Sequence, residues 1–289
     1  MKTLVKSVLS FLKQTVSFIG LLLRLLYHKG FSNPFKTRYE GTVAVLANGP
    51  SLKDVISRVQ TDAEFQGVDF IVLNYFAFED VFFSIKPKHY CLADPMFFRD
   101  SFRKQDAQRL FSILQERVNW AMNIYIPRVA LKDFQSFSRL TNSHIQIIPL
   151  NTDEYAGYES LRFTFYQKGL SMPRPQTVAN MAIYVGINSG YSQVNLYGVE
   201  HTFLDSLCVN GDNQLCNRDK HFYDKGEVQL KPIIKTDSLD EVWKIGDYLM
   251  AIAWMFKSHD MLSAYAKYKG VQVLNCTKGS MIDSYKRKR

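Results

Sequence analysis

Short apolar runs recur along this chain, each ending in small or polar residues and followed by an amphipathic stretch. They fall at 43–47, 70–73, 89–92, 120–126, 145–148, 193–197 and 271–276. A strand with one solvated face alternates apolar and polar residues, whereas a strand covered on both faces reads as a near-continuous apolar run. The stretches at 52–61, 96–118, 177–189, 239–257 and 260–269 carry helical spacing. Strands separated by helices predict an α/β fold, a Rossmann-like and mostly parallel sheet with helices on both faces. With 289 residues, of which 46% are hydrophobic, the chain can bury a large core, and general disorder is excluded.

The expected organisation has four parts: an N-terminal helix and linker over 1–37, a nucleotide-binding domain over 38–200, a small lid or acceptor segment over 201–236, and closing helices, a last strand and a basic tail over 237–289. The lid expectation rests on "HTFLDSLCVNGDNQLCNRDKHFYDKGEVQLKPIIKT", which is long, polar, aromatic and aperiodic. Such a segment inside a compact domain usually serves as a binding loop. Ser238 is the expected N-cap of the helix after it, with Asp240 and Glu241 in the first turn.

Residues 1–29 are rich in Leu, Val and Phe, but Lys13 and Arg24 leave only ten uncharged residues between them. At helical spacing Lys2, Lys6, Ser10, Lys13, Ser17, Gly20, Arg24 and His28 form one stripe. Leu4, Val8, Phe11, Leu12, Ile19, Leu22 and Leu26 fall largely off it, and Leu21 and Leu25 spoil the sorting. A cationic stripe beside a broad apolar face describes an amphipathic helix lying in a membrane interface. The competing places for that face are the protein's own core and a second subunit of a homo-oligomer.

The formal net charge of +9 calls for an anionic partner. Lys286, Arg287, Lys288 and Arg289 supply four positive charges in "SYKRKR", read either as a frayed end or as a second membrane contact. The charge is not arrayed with aromatic residues on one element, so nucleic acid is not an expected partner. Cys91, Cys208, Cys216 and Cys276 form no Cys-x-x-Cys pair, and no signal-peptide cleavage site is recognisable; free thiols are expected.

The chemistry-bearing residues cluster at expected strand ends. "VAVLANGPSLKDV" places Asn48, Gly49, Pro50 and Ser51 between the first strand and a helix. Glycine permits close backbone approach, proline suits a first helical turn, and a helix N-terminus favours an anion. "IVLNYFAFED" puts Asn74 at the second strand end, and "CLADPMFF" puts Asp94 at the third. In an open parallel sheet, ligands gather at these carboxyl ends.

Together "NGPSLKDV", "LNYFAFEDVFF" and "ADPMFF" resemble the bacterial sialyltransferases of glycosyltransferase family 42. "TVANMAIYVGINSGYSQVNLYGVE" and "YKGVQVLNCTKGS" extend the likeness over roughly residues 41–280. A wider group with the same opening includes archaeal pterin pyrophosphokinase-like proteins. The resemblance implies transfer of a nonulosonic acid such as sialic acid from a CMP-sugar donor to a glycan hydroxyl, in surface polysaccharide or lipid-linked glycan synthesis. No cofactor and no obligatory metal are implied, and the chain contains no Asp-x-Asp motif. The implied location is peripheral, on the inner face of a bacterial cytoplasmic membrane.

By resemblance Asn48–Ser51 and Asn74 bind the nucleotide; Asp94 stands where the family has asparagine. The family uses a lid histidine as general base, a task suited to a group titrating near neutrality. His201, His221 and His259 compete, and His221 is preferred, with Tyr223 beside it. Thr202 stands where the family has a tyrosine, Glu200 where it has an aspartate, and Arg174 lies near a family arginine. Those three positions, with His201, complete the substrate-binding expectation. Two other functions fit the same features: a magnesium-dependent, ATP-using pyrophosphokinase, and a non-catalytic scaffold at a membrane surface.

Overall fold

Alternation of apolar runs with amphipathic stretches produces an eight-stranded sheet sandwiched between helices. The computed structural model describes residues 2–101, 103–218, 230–235 and 241–288. The chain opens with α1 (Lys2–Tyr27). It continues through β1 (Thr42–Leu46), α2 (Leu52–Ile56), β2 (Asp69–Leu73), α3 (Val81–Ile85) and β3 (His89–Cys91). Next come α4 (Lys104–Arg117), β4 (Met122–Pro127), α5 (Leu131–Ser138), β5 (Ile145–Leu150), α6 (Glu159–Gln167), α7 (Val178–Asn188) and β6 (Gln193–Tyr197). A small antiparallel sheet follows, built from β7 (Leu207–Val209), β8 (Leu215–Arg218) and β9 (Leu230–Pro232). The chain then returns through α8 (Ile245–Lys269), β10 (Gln272–Asn275) and β11 (Lys286–Arg287).

The large sheet has the order β11-β10-β6-β1-β2-β3-β4-β5, and every pairing is parallel. Successive side chains of each strand enter opposite layers. Val43 and Val45 pack with α7 and α8 on one face, while Ala44 and Leu46 pack with α2, α3, α4 and α5 on the other. This two-sided burial is why the strands read as apolar runs.

All seven expected strands form, with ends shifted by a residue or two. Two helices differ from expectation. The expected break between helices near residue 258 is absent, because Ser258 Oγ donates to the Trp254 carbonyl one turn back (3.0 Å) and to the Arg174 carbonyl (2.7 Å). His259 is fully buried in the same turn, so the polar pair faces inward and α8 runs through. The expected start of that helix at Ser238 and Asp240 lies outside the described residues. The expected 96–118 helix is shortened to α4, its beginning replaced by a single tight turn at Pro95–Phe97.

Over its described residues, 286–288, the basic tail is neither frayed nor free. Lys286 and Arg287 form the sheet's edge strand against Leu274 and Asn275. The Arg287 guanidinium donates to the Ser280 carbonyl at 2.5 Å, and Lys288 pairs with Glu64 at 2.5 Å.

Helix α1 is docked along one side. Leu21 and Leu25 are buried with Tyr155, against Leu161, Phe165 and Leu170. Thr15 Oγ1 meets the Tyr158 hydroxyl at 2.6 Å, and Arg24 pairs with Asp153 at 2.6 Å. The two leucines that disturb the cationic stripe are therefore the ones the body of the protein covers. Val5, Val8, Leu9, Leu12, Val16, Ile19, Leu23 and Leu26 remain exposed beside Lys6 and Lys13. By length and composition Val5–Tyr27 is also apolar enough to cross a membrane, a property shared by signal sequences.

Candidate functional site

The strand order reverses between β1 and β6: β2 to β5 extend to one side of β1, and β6, β10 and β11 to the other. A crevice opens outside the carboxyl ends at such a reversal. Here it is a cleft of about 600 Å³, lined by Asn48, Gly49, Pro50, Asn74, Asp94, Glu200, His201 and Thr202. The register pairs Leu46 with both Val72 and Tyr197. Carried two residues past each ladder, it brings Asn48 level with Asn74. The strand-end residues picked from the sequence therefore share one cleft.

Glu200 organises the turn after β1. Its Oε1 accepts a hydrogen bond from the Ser51 backbone N–H at 2.7 Å, and the Gly49 N–H donates to the Gly198 carbonyl at 2.9 Å. Gly49 is required by contact: a Cβ there would lie 1.5 Å from Glu200 Oε2 and 2.5 Å from the Gly198 carbonyl oxygen. Two amides expected to receive a phosphate are thus already engaged. Pro50 has no N–H, and α2 is a short helix. The positive helix end that opens on the cleft belongs instead to α7, whose first turn at Thr177, Val178 and Ala179 lines it. Asn180 Oδ1 secures that turn by accepting from the Thr177 backbone N–H (3.2 Å).

Two residues that line the cleft carry a buried polar atom with no hydrogen-bond partner among the described residues, Asn74 Oδ1 and Glu200 Oε2, and Ser51 Oγ, next to the lining Pro50, is a third. Leaving a buried acceptor or donor unpaired costs about 1–3 kcal/mol. Asn74 and His201 also hold left-handed backbones, with φ of 49° and 54°. Such conformations persist where the surroundings enforce them, and they cluster at ligand sites. Burial raises the Asp94 carboxyl above its usual range, while the Asn74 side chain beside it pulls the other way. The shift moves Asp94 toward the neutral acid, which offers one donor and one acceptor, as an asparagine amide does.

His201 Nε2 lies 3.0 Å from His259 Nε2, and His259 Nδ1 lies 3.1 Å from the Tyr285 hydroxyl. Burial lowers His201 to about 4. Burial, and then the neighbouring His201, lower His259 to about 3. Both rings are neutral near pH 7. His259 has both ring nitrogens engaged and does not line the cleft, so it is removed as a candidate base. The pairing joins residues 201 and 259 through the path of α8, and no local sequence signal announces it.

Arg174 stands apart from the cleft. It lines a separate groove of about 340 Å³ with Trp254 and Lys257, its guanidinium 5.3 Å from the Trp254 ring centre. The preferred base His221 and its neighbour Tyr223 lie outside the described residues. Cys208 and Cys216 face one another across β7 and β8 as free thiols. A further groove of about 460 Å³ between α4 and α5 is an open surface feature; none of the unpartnered buried atoms of the described residues lines it. Comparison with known proteins finds no family model that matches this chain and no curated protein that matches it.

Proposed function

We propose that this chain is a membrane-associated glycosyltransferase whose donor is a CMP-linked sugar of the nonulosonic acid class and whose acceptor is a glycan or lipid-linked hydroxyl. The observation that carries the reading is the set of unpartnered buried atoms, Ser51 Oγ, Asn74 Oδ1 and Glu200 Oε2, around a cleft at the sheet's reversal point. A cleft of this volume falls in the roughly 300–1,000 Å³ range of small-molecule sites. The Asn-Gly-Pro-Ser turn and the strand-end Asn74 and Asp94, the features that resemble family 42, lie on that cleft or in its wall.

In this reading the base and sugar make hydrogen bonds to Asn74, Asp94 and Ser51, and the phosphate faces the amino end of α7. The acceptor oxygen attacks the anomeric carbon, the bond to phosphate breaks, and CMP leaves with the electron pair. The base is His221, assigned by resemblance. The exposed face of α1, with Lys6 and Lys13 at its edge, lies in an anionic membrane interface and brings the cleft near membrane-borne acceptors. A magnesium-dependent pyrophosphokinase needs ionised carboxyl ligands, and the burial of Asp94 works against that.

A thermal-shift series with CMP, UDP, GDP and ATP tests the reading. CMP at about 100 times its Kd stabilises the native state by about 2.7 kcal/mol and raises Tm by several degrees. CMP release from CMP-N-acetylneuraminic acid is the matching activity. A larger shift with ATP and Mg²⁺ than with CMP would refute it.

A further inference from the structure

The direction of hydrogen bonding along Tyr285, His259 and His201 follows from counting donors. Tyr285 is buried, and its hydroxyl has a single hydrogen-bond partner among the described residues, His259 Nδ1. A buried O–H without an acceptor is costly, so the hydroxyl donates to Nδ1. Burial, helped by the nearby Asp260, also raises the Tyr285 hydroxyl well above its usual range, which keeps the proton on oxygen.

A neutral imidazole has one N–H. With Nδ1 of His259 accepting, its hydrogen sits on Nε2 and is donated across 3.0 Å to Nε2 of His201. His201 Nε2 is therefore the acceptor, and the hydrogen of His201 is on Nδ1. That nitrogen has no partner among the described residues, and the ring lines the cleft. With the Gly49 and Ser51 amides engaged elsewhere, the His201 Nδ1–H joins the amino end of α7 as a donor for an anion in the cleft.

We propose that His201, held as the Nδ1–H tautomer by His259 and Tyr285, is a neutral hydrogen-bond donor to the leaving phosphate of the donor nucleotide. This rests on the glycosyl-transfer reading. His201 keeps its hydrogen throughout. The electron pair of the breaking anomeric bond settles on the phosphate oxygen, where the Nδ1–H stabilises it, and the acceptor proton leaves to a separate base. His259 and Tyr285 are positioning residues, since they act through the tautomer of His201.

The test uses the full chain and CMP as the probe. Nitrogen-15 imidazole spectra should place the His201 hydrogen on Nδ1 at neutral pH, and Tyr285→Phe should mix the tautomers. His201→Leu should weaken CMP binding about 10- to 100-fold, as expected for a lost bond to a charged group. His201→Asn, whose amide nitrogen takes the place of Nδ1, should restore most of it. A bare Nδ1, or equal CMP affinity of wild type and His201→Leu with both folded, overturns this proposal alone. Failure of the wild type to bind CMP overturns the glycosyl-transfer reading and this proposal with it.

Discussion

Gly49 and Glu200 form the tightest contact in the cleft wall, and it is open to a double-mutant cycle. In Gly49→Ala the new Cβ meets Glu200 Oε2 and the Gly198 carbonyl. The side chain can swing away and the carbonyl cannot, so we expect a loss of about 2 kcal/mol in urea unfolding. Glu200→Ala leaves the Ser51 N–H without its acceptor, an expected loss of about 1–3 kcal/mol. The double mutant should lose less than the sum, and strict additivity would show that the two residues do not communicate. Asn48, Asn74, Asp94 and Glu200 were legible in the sequence because parallel strand ends converge by geometry. The Glu200 carboxyl under the turn was not, since it depends on where β6 lands beside β1. Nor was the misplacement of Arg174, whose loop follows α8 and Trp254.

Elements were legible where both their faces obey one pattern. Strand β1 is apolar after Thr42 and was found; β11 is Lys-Arg and was not, because its pairing is made by backbone and its side chains stay outside. Helix α1 carries three sectors (docked, apolar-exposed and cationic), and a two-sector description leaves Leu21 and Leu25 unexplained. The sectors are separable by experiment. Lys6→Glu with Lys13→Glu should weaken binding to anionic vesicles by about 30-fold or more, at about 1 kcal/mol per lysine lost near the surface, and leave the urea midpoint unchanged. Leu21→Ala with Leu25→Ala should do the reverse, lowering stability by a few kcal/mol and speeding proteolysis near Tyr27. Equal loss of vesicle binding in both would argue against a division of faces.

At the scale of the whole molecule, the three histidines buried among the described residues set the response to acid. His89 lies at the opposite end of the sheet from the cleft, between the hydroxyls of Tyr125 (3.1 Å) and Tyr191 (2.9 Å). Burial lowers it to about 4, beside His201 at about 4 and His259 at about 3. Unfolded histidine titrates near 6.5. Below that pH the unfolded chain takes up protons that the folded chain refuses, so stability falls as pH drops from about 6.5 toward about 4. The loss for His89 alone is on the order of 3 kcal/mol. Asp94 acts in the opposite sense, because its folded form holds a proton more tightly than its unfolded form. One carboxyl against three imidazoles leaves the histidines in control. Urea midpoints measured between pH 7 and pH 5 should decline, and a flat profile would contradict the buried neutral state. The docking of α1 reaches further than stability. An enzyme moored by a slack linker swivels and meets acceptors at many heights. Here Leu21, Leu25, the Thr15–Tyr158 bond and the Arg24–Asp153 pair clamp α1 to the body. On the glycosyl-transfer reading proposed above, with α1 in lipid, the tilt of the cleft would be a built-in constant, and the choice of acceptor would follow from how far each one stands off the bilayer.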